Sequence, residues 1–228
     1  MTRILIVDDE PQMLKALQIN LQARHYQVAV ALDGRQALFE ATRTPPEAII
    51  LDLGLPHIDG LQVLQALRVW SDVPVIVLSG RSDFAQKIAA LDAGADDYVT
   101  KPFAMNELLA RLRAALRRPT RTEALAPRVV IGEFTVDVGS AQVLSAGGGA
   151  SSVRLTPTEW RILGVLLAHP GKLVTGHQIL QQVWGPGHEQ KTNYLRVYFA
   201  GLRRKLEPDP AHPRHLLTEP GMGYRFEP

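Results

Sequence analysis

Along the first half of the chain, short apolar runs alternate with stretches whose apolar residues recur every three or four positions. The runs are Ile4-Leu5-Ile6-Val7, Gln27-Val28-Ala29-Val30, Ala48-Ile49-Ile50-Leu51, Val75-Ile76-Val77-Leu78 and Asp97-Tyr98-Val99. Most are apolar throughout rather than at every second residue, as in strands covered on both faces. Helix-like stretches lie near 11–24, 34–43, 59–69, 82–92 and 104–118. Five strands alternating with five helices predict an α/β fold over residues 1–118, a five-stranded doubly wound parallel sheet.

The pattern then changes. Residues 119–127 hold a proline at each end and no apolar period, which reads as a linker. Residues 129–155 look like short strands separated by turns, including Gly147-Gly148-Gly149. Helices are predicted at 157–168, 176–184 and 191–206. Thr156-Pro157-Thr158-Glu159 carries a capping threonine, a proline at the first helical position and a glutamate that can close a capping box. Leu216-Leu217-Thr218, a turn, and Gly223-Tyr224-Arg225-Phe226 read as a hairpin. Strands, three helices and a terminal hairpin predict an α+β winged helix-turn-helix over 128–228.

Composition narrows the classes. The 228 residues contain no cysteine, which excludes a disulfide scaffold, a cysteine metal site and a cysteine nucleophile. The lack of cysteine fits a reducing compartment, so the cytoplasm is expected. No apolar run approaches the roughly 18 residues of a membrane span, and Met1-Thr2-Arg3 before a strand-like run does not resemble a signal peptide. Residues 1–118 hold 13 Lys and Arg against 14 Asp and Glu, whereas 119–228 hold 12 against 9 together with five of the seven histidines. A basic second half hints at nucleic acid. His177, His188, His212 and His215 lack metal-ligand spacing.

In open α/β sheets, sites form beyond the carboxyl ends of the strands. Asp8 and Asp9 follow the first predicted strand, Asp52 the third, Ser79 the fourth and Lys101 the fifth. A lone Asp after a strand is usually a turn or cap residue; the weight here lies in several residue types converging on one edge. Three carboxylates in one pocket repel one another, and a divalent oxygen-liganded ion, Mg²⁺ above others, relieves that repulsion. The same ion serves phosphoryl transfer, in which Lys101 and Ser79 could meet phosphoryl oxygens. Lys101-Pro102 falls in a tight strand-to-helix turn, where a cis peptide is possible.

With these residues in hand, the first half resembles the receiver domain of two-component response regulators, which has a CheY-like, flavodoxin-like fold. The matching residues are Asp8-Asp9, Asp52 with Pro56 and Gly60 after it, Ser79-Gly80 and Lys101-Pro102. The resemblance implies that Asp52 takes a phosphoryl group from the histidine of a sensor histidine kinase. It implies that Asp9, Asp52 and the backbone carbonyl of Gly54 bind Mg²⁺ with Asp8 nearby, and that Ser79 and Tyr98 are switch residues.

Lys87, Ile88 and Leu91 share one face of the fourth helix, and Glu107, Ala110 and Arg111 one face of the fifth. Both signs of charge flank a small apolar patch of Ile88, Leu91 and Ala110, an interface composition. The matching positions of OmpR/PhoB-type regulators form a two-fold dimer on phosphorylation. The resemblance implies Lys87–Glu107, Asp97–Arg111 and Asp96–Arg118 pairs across it.

In the helix at 191–206, Leu195, Phe199, Leu202 and Leu206 make an apolar face, while Asn193, Arg196, Ala200 and Arg203 run along another. Arg204 and Lys205 add charge near its end. Arg can read guanine and Asn adenine in a major groove, although terminal basic residues also simply complement the helix dipole. Arg225, at the hairpin tip, could reach a minor groove or phosphate; Arg161, Lys172 and Thr175 could supply phosphate contacts. Leu155 to Trp160 and Gly223 to Phe226 resemble the winged-helix effector of the OmpR/PhoB subfamily; Trp70 to Ser79, Tyr194 to Tyr198, Leu202 to Leu206 and the stretch from Glu207 to Arg225 are similar to its potassium-uptake branch. In that branch, positions matching Arg196 and Arg203 contact DNA, and Asn193, Arg204, Thr218, Tyr224 and Arg225 complete the expected surface. Glu219-Pro220 stands where a basic turn residue is common in the wider subfamily, and Ala200-Gly201 where arginines often sit.

These readings converge on a phosphorylation-activated, dimerising transcription factor rather than an enzyme. Its expected partners are a sensor kinase, double-stranded promoter DNA and RNA polymerase, and its expected target a potassium-transport operon. A phosphatase would need a second catalytic Asp two residues after Asp52, where Gly54 stands. An adaptor whose second half binds protein instead of DNA is the remaining alternative.

Overall fold

The five apolar runs become β1 (Arg3–Val7), β2 (Gln27–Ala31), β3 (Ala48–Asp52), β4 (Val75–Ser79) and β5 (Asp97–Thr100), all parallel, in the order β2-β1-β3-β4-β5. They belong to a computed structural model that describes residues 2–80, 84–116, 128–138, 140–145, 153–185 and 192–228. Arg118, His188, the expected linker and the Gly147-Gly148-Gly149 turn lie outside the described residues. The chain divides into two units, Met1–Arg117 and Arg118–Pro228.

Every residue of β3 and β4 is buried, so their sequences are continuous apolar runs. β2 is an edge strand, and only Ala31 in it is buried. Helices α1 (Pro11–Gln22), α2 (Gly34–Arg43), α3 (Gly60–Arg68), α4 (Phe84–Asp92) and α5 (Met105–Leu116) separate the strands. Leu14, Leu17 and Leu21 of α1 and Leu108, Leu109 and Leu112 of α5 close one core with Ile4, Ile6, Ile50 and Ile76 of the sheet. The chain turns from β1 to β2 on one side and to β3 on the other, so a crevice opens between the ends of β1 and β3.

Gly60 shapes that crevice. Its amide donates to the Leu53 carbonyl at 3.1 Å. A Cβ at Gly60 would stand 2.2 Å from the Asp52 carbonyl oxygen and 2.7 Å from Leu53 Cα, so only glycine lets α3 start this close to the end of β3.

The second unit opens with an antiparallel meander of β6 (Arg128–Ile131), β7 (Phe134–Asp137) and β8 (Gln142–Ser145). α6 (Pro157–Leu167) starts as its sequence requires. The Thr156 hydroxyl accepts from the Glu159 amide at 3.3 Å, the Glu159 carboxylate accepts from the Thr156 amide at 2.7 Å, and Pro157 fills the first turn. α7 (Gly176–Trp184) and α8 (Thr192–Leu206) follow, then the hairpin β10 (Leu216–Glu219) and β11 (Gly223–Phe226).

One strand has no counterpart in the sequence reading. β9 (Leu173–Thr175) pairs antiparallel with β11 and makes a three-stranded sheet, β10-β11-β9. Three residues are too few to show a period. Its trace in the sequence is Gly223, where a Cβ would lie 2.2 Å from the Val174 carbonyl oxygen. Among the described residues, no helix is long and apolar enough to cross a membrane.

Gly60→Ala forces a methyl group onto the backbone of β3 and is expected to cost about 2 kcal/mol of stability. Urea denaturation of the variant beside the native protein measures this, and an unchanged midpoint would contradict the close approach.

Candidate functional site

The strand register brings the acidic residues to one level. Val7 of β1 pairs with Leu51 of β3, so Asp8 and Asp52 each stand one residue beyond that pair. Ser79 and Thr100 are partners at the ends of β4 and β5, and the Lys101 amide donates to the Ser79 carbonyl at 2.8 Å. The Lys101-Pro102 peptide is cis.

Asp8 is fully buried and both its oxygens are engaged. One accepts from the Glu10 amide at 2.9 Å, and the other lies 2.8 Å from Lys101 Nζ. Asp52 is 6 % exposed; its Oδ1 is 3.2 Å from Lys101 Nζ and its Oδ2 accepts from the Gly54 amide at 3.2 Å. Asp9 is exposed at the rim. One oxygen from each of Asp8, Asp9 and Asp52 falls within 4.8 Å of the others. Ser79 is 3 % exposed beside them, and the group opens into a cleft of about 640 Å³ that continues toward Gln62 of α3 and Gln86 of α4.

Burial pushes the Asp52 carboxyl above the ordinary carboxylate range; Asp8 adds to this and Lys101 opposes it. Burial alone would lower the Lys101 ammonium, but its hydrogen bonds and attraction to Asp8 and Asp52 outweigh that and hold it above its usual value. Three carboxylates face one ammonium, and the excess negative charge together with hard oxygen donors suits a small divalent cation.

On the neighbouring face, the structure alters several expectations. Tyr98 is 1 % exposed. The expected Asp97–Arg111 pair is made within one chain, where Arg111 Nη1 lies 2.8 and 2.7 Å from the two Asp97 oxygens. Arg111 also donates to Glu107, the residue expected to meet Lys87 of a second chain. Asp96 has no exposed side-chain surface; it accepts from the Val75 amide at 2.9 Å and from Arg68 at 3.0 Å. Leu91 is buried, 4 % exposed. Ile88 and Ala110 remain exposed.

In the second unit, Leu195, Phe199, Leu202 and Leu206 are buried as the helical period requires, and Arg196, Ala200 and Arg204 are exposed. Only the backbone of Asn193 is described. Arg203 is turned inward. It donates to the Leu216 carbonyl through Nε at 2.8 Å and Nη2 at 2.6 Å, and to the Thr218 hydroxyl at 2.7 Å. Tyr224, expected at the surface, is 7 % exposed and stacks on Phe199 with 3.6 Å between ring centroids. Burial raises its phenol, against the pull of Arg196 and Arg203, so the hydroxyl lies in the field of both.

Arg225 is not at the hairpin tip. It lies within β11, opposite Leu217 and Leu173, and pairs with Glu219 at 2.6 Å and Glu227 at 3.4 Å. The tip is Pro220-Gly221-Met222, with Met222 56 % exposed. Arg161 bonds Thr158 and the Pro157 and Val183 carbonyls. Lys205 pairs with the buried Glu159 at 2.6 Å. Sequence reasoning missed Glu207, whose carboxylate accepts from the amides of Arg214, His215 and Leu216 at 3.1, 2.9 and 2.6 Å. Its only signal was an acid just past the end of a basic helix.

Two family profiles match the chain. That of the response regulator receiver domain covers residues 4–113, and that of the C-terminal domain of transcriptional regulatory proteins covers 150–226. The chain is 56% identical to the transcriptional regulatory protein KdpE of Mycobacterium tuberculosis over 228 residues, all of both chains. It is 51% identical to the KDP operon transcriptional regulatory protein KdpE of Escherichia coli over 226 residues, 99% of each. Among solved structures, a RitR mutant aligns with a TM-score of 0.79 at 25% identity over 99% of both chains. The Thermotoga maritima OmpR/PhoB homologue DrrB aligns at 0.53 and 29% over the whole of both. An acidic pocket at a receiver's strand ends, a basic helix beside a winged sheet, and identity along the full length together place this chain among the OmpR/PhoB-type response regulators, the DNA-binding transcription regulators of two-component systems.

Proposed function

We propose that Asp52 is the phosphoryl acceptor and that phosphorylation assembles a dimer which binds the promoter of a kdp-like potassium-transport operon. The observation that carries this is the setting of the Asp52 carboxylate, held between Lys101 and the Gly54 amide at the mouth of an open cleft, with Asp8 and Asp9 within 4.8 Å. An Asp52 oxygen attacks phosphorus, the bond from phosphorus to the kinase histidine nitrogen breaks, and its electron pair stays on the imidazole. Lys101 and the Ser79 hydroxyl meet the oxygens of the transferred group. Asp8, Asp9, Asp52 and the backbone carbonyl of Gly54 would hold Mg²⁺, which when bound neutralises charge on that group.

Tyr98 reports the event through β5 to the face formed by α4, β5 and α5. There Ile88 and Ala110 supply the exposed apolar contact for a second chain, with Lys87, Glu107, Asp97 and Arg111 around it. Because Arg111 already bonds Asp97 and Glu107 within one chain, these ions are shared or exchanged when the dimer forms. Two chains place two copies of α8 on half-sites about one DNA turn apart, and much of the gain in affinity is bivalency. Arg196, Arg204 and Asn193 face the groove, while Arg203, Thr218 and Tyr224 set the junction of helix and wing. Transcription then requires RNA polymerase as a partner in the cytoplasm. The full-length identity to two KdpE proteins supports the choice of operon.

Asp52→Asn is expected to take up no phosphate from a phosphodonor and to give a DNase footprint that no donor changes. Donor-dependent protection by the variant would refute the assignment. Arg196→Ala should weaken operator binding by about 1–3 kcal/mol and, if it meets phosphate, flatten the salt dependence by about one unit of slope. Gel shifts across a salt series measure both. The raised Asp52 carboxyl binds its proton more tightly in the folded chain than in the unfolded one. Its contribution to stability is therefore present at low pH and lost as pH rises through the folded value. Asp52→Asn should raise the melting temperature at pH 7, with the gain shrinking toward pH 4. Mg²⁺ should stabilise the native protein more than the variant, and calorimetry with and without the ion reads this directly.

A further inference from the structure

Lys87 of α4 does not simply line a surface. Its Nζ lies 5.3 Å from the centroid of the Tyr98 ring, inside the distance at which an ammonium is drawn to an aromatic face. The ring is 1 % exposed, so its burial and the placement of the lysine are one arrangement. Charges nearby include those of Asp97 and Arg111, and Arg111 is held by Asp97 and Glu107. Burial lowers the Lys87 ammonium, with Asp97 raising it and Arg111 lowering it again. A partly desolvated cation is the case in which a ring quadrupole acts most strongly, because water no longer competes for the charge.

We propose that Lys87 is a positioning residue for Tyr98: its ammonium caps the ring and holds it in the buried orientation, coupling α4 to the state of β5. This rests on the reading of Tyr98 as a switch residue and deepens it. The resemblance gives Lys87 to an ion pair with a second chain; the contact with the ring is made inside its own chain. If the ring swung out, the half-buried ammonium would lose this contact, and the first turns of α4 would have to readjust. The orientation of one side chain on β5 is thereby registered on the helix beside it.

The test uses the full chain labelled with 3-fluorotyrosine, with the Tyr98 resonance assigned by Tyr98→Phe. ¹⁹F spectra give the ratio of buried to exposed ring for the native protein, Lys87→Met and Lys87→Arg, each with and without beryllofluoride and Mg²⁺. Lys87→Met is expected to move the ratio toward the exposed ring by about 5-fold, and Lys87→Arg, which keeps a cation over the ring, to restore most of it. The Lys87 ε-methylene protons should be shifted upfield by the ring and return to their ordinary position in Tyr98→Leu. An unchanged ratio in Lys87→Met, or ordinary ε-methylene shifts in the native chain, would overturn the proposal. A native Tyr98 ratio that ignores beryllofluoride would remove the switch reading alone, since the comparison among Lys87 variants still decides what the lysine does.

Discussion

Among the described residues, the carboxylates of Asp8, Asp9 and Asp52 crowd the carboxyl edge of the receiver sheet against the Lys101 ammonium, and the local structure is arranged around that imbalance. Asp8 is buried, so both its oxygens must be satisfied; the Glu10 amide takes one and Lys101 the other. Lys101 can do this only because the turn after β5 delivers it across the sheet edge, which ties the end of β5 to the end of β1. Asp52 shares the same lysine and receives a single further donor, the Gly54 amide. Asp52 differs from Asp8 in facing the open cleft, which Asp9 also lines. Lys101 thus joins the Asp52 carboxylate to the end of β5, the strand that carries Tyr98.

The effector unit uses buried acids to join its elements. Glu159 caps α6 and also holds Lys205 of α8, so one carboxylate fixes the start of one helix against the end of another. Glu207 gathers three successive amides ahead of β10 and sets where the hairpin leaves the helix. Losing either acid would leave donors buried without partners, which costs more than the bonds themselves contribute.

Much of this was readable from the sequence because it depends on periodicity and on strand ends. Continuous apolar runs gave the sheet, and residues immediately after those runs had to converge once the strands were parallel. The capping box before α6 was legible because its chemistry is local. What escaped involved choices between partners. Arg111, Arg203, Arg225 and Lys205 all read as outward charge, yet each is bound to a carboxylate or carbonyl that the chain brings from another element or another turn. A helical period says which face a residue occupies, not how far a long side chain bends along it. Tyr224 looked like a surface tyrosine because β11 read as one arm of a two-stranded hairpin; β9 makes it the central strand, and its stacking on Phe199 depends on the packing of that strand against α8. β9 was invisible because three residues carry no pattern.

The double grip of Arg203 on the Leu216 carbonyl and the Thr218 hydroxyl has a consequence for the DNA itself. It ties α8 to the hairpin, and under the proposed function it sets the angle between the two before any duplex arrives, as in the jaws of a fixed caliper. A duplex whose grooves do not match that opening must deform to fit, and the energy of deformation depends on its base steps. Some of this regulator's sequence preference would then be written in the stiffness of base pairs that no side chain touches.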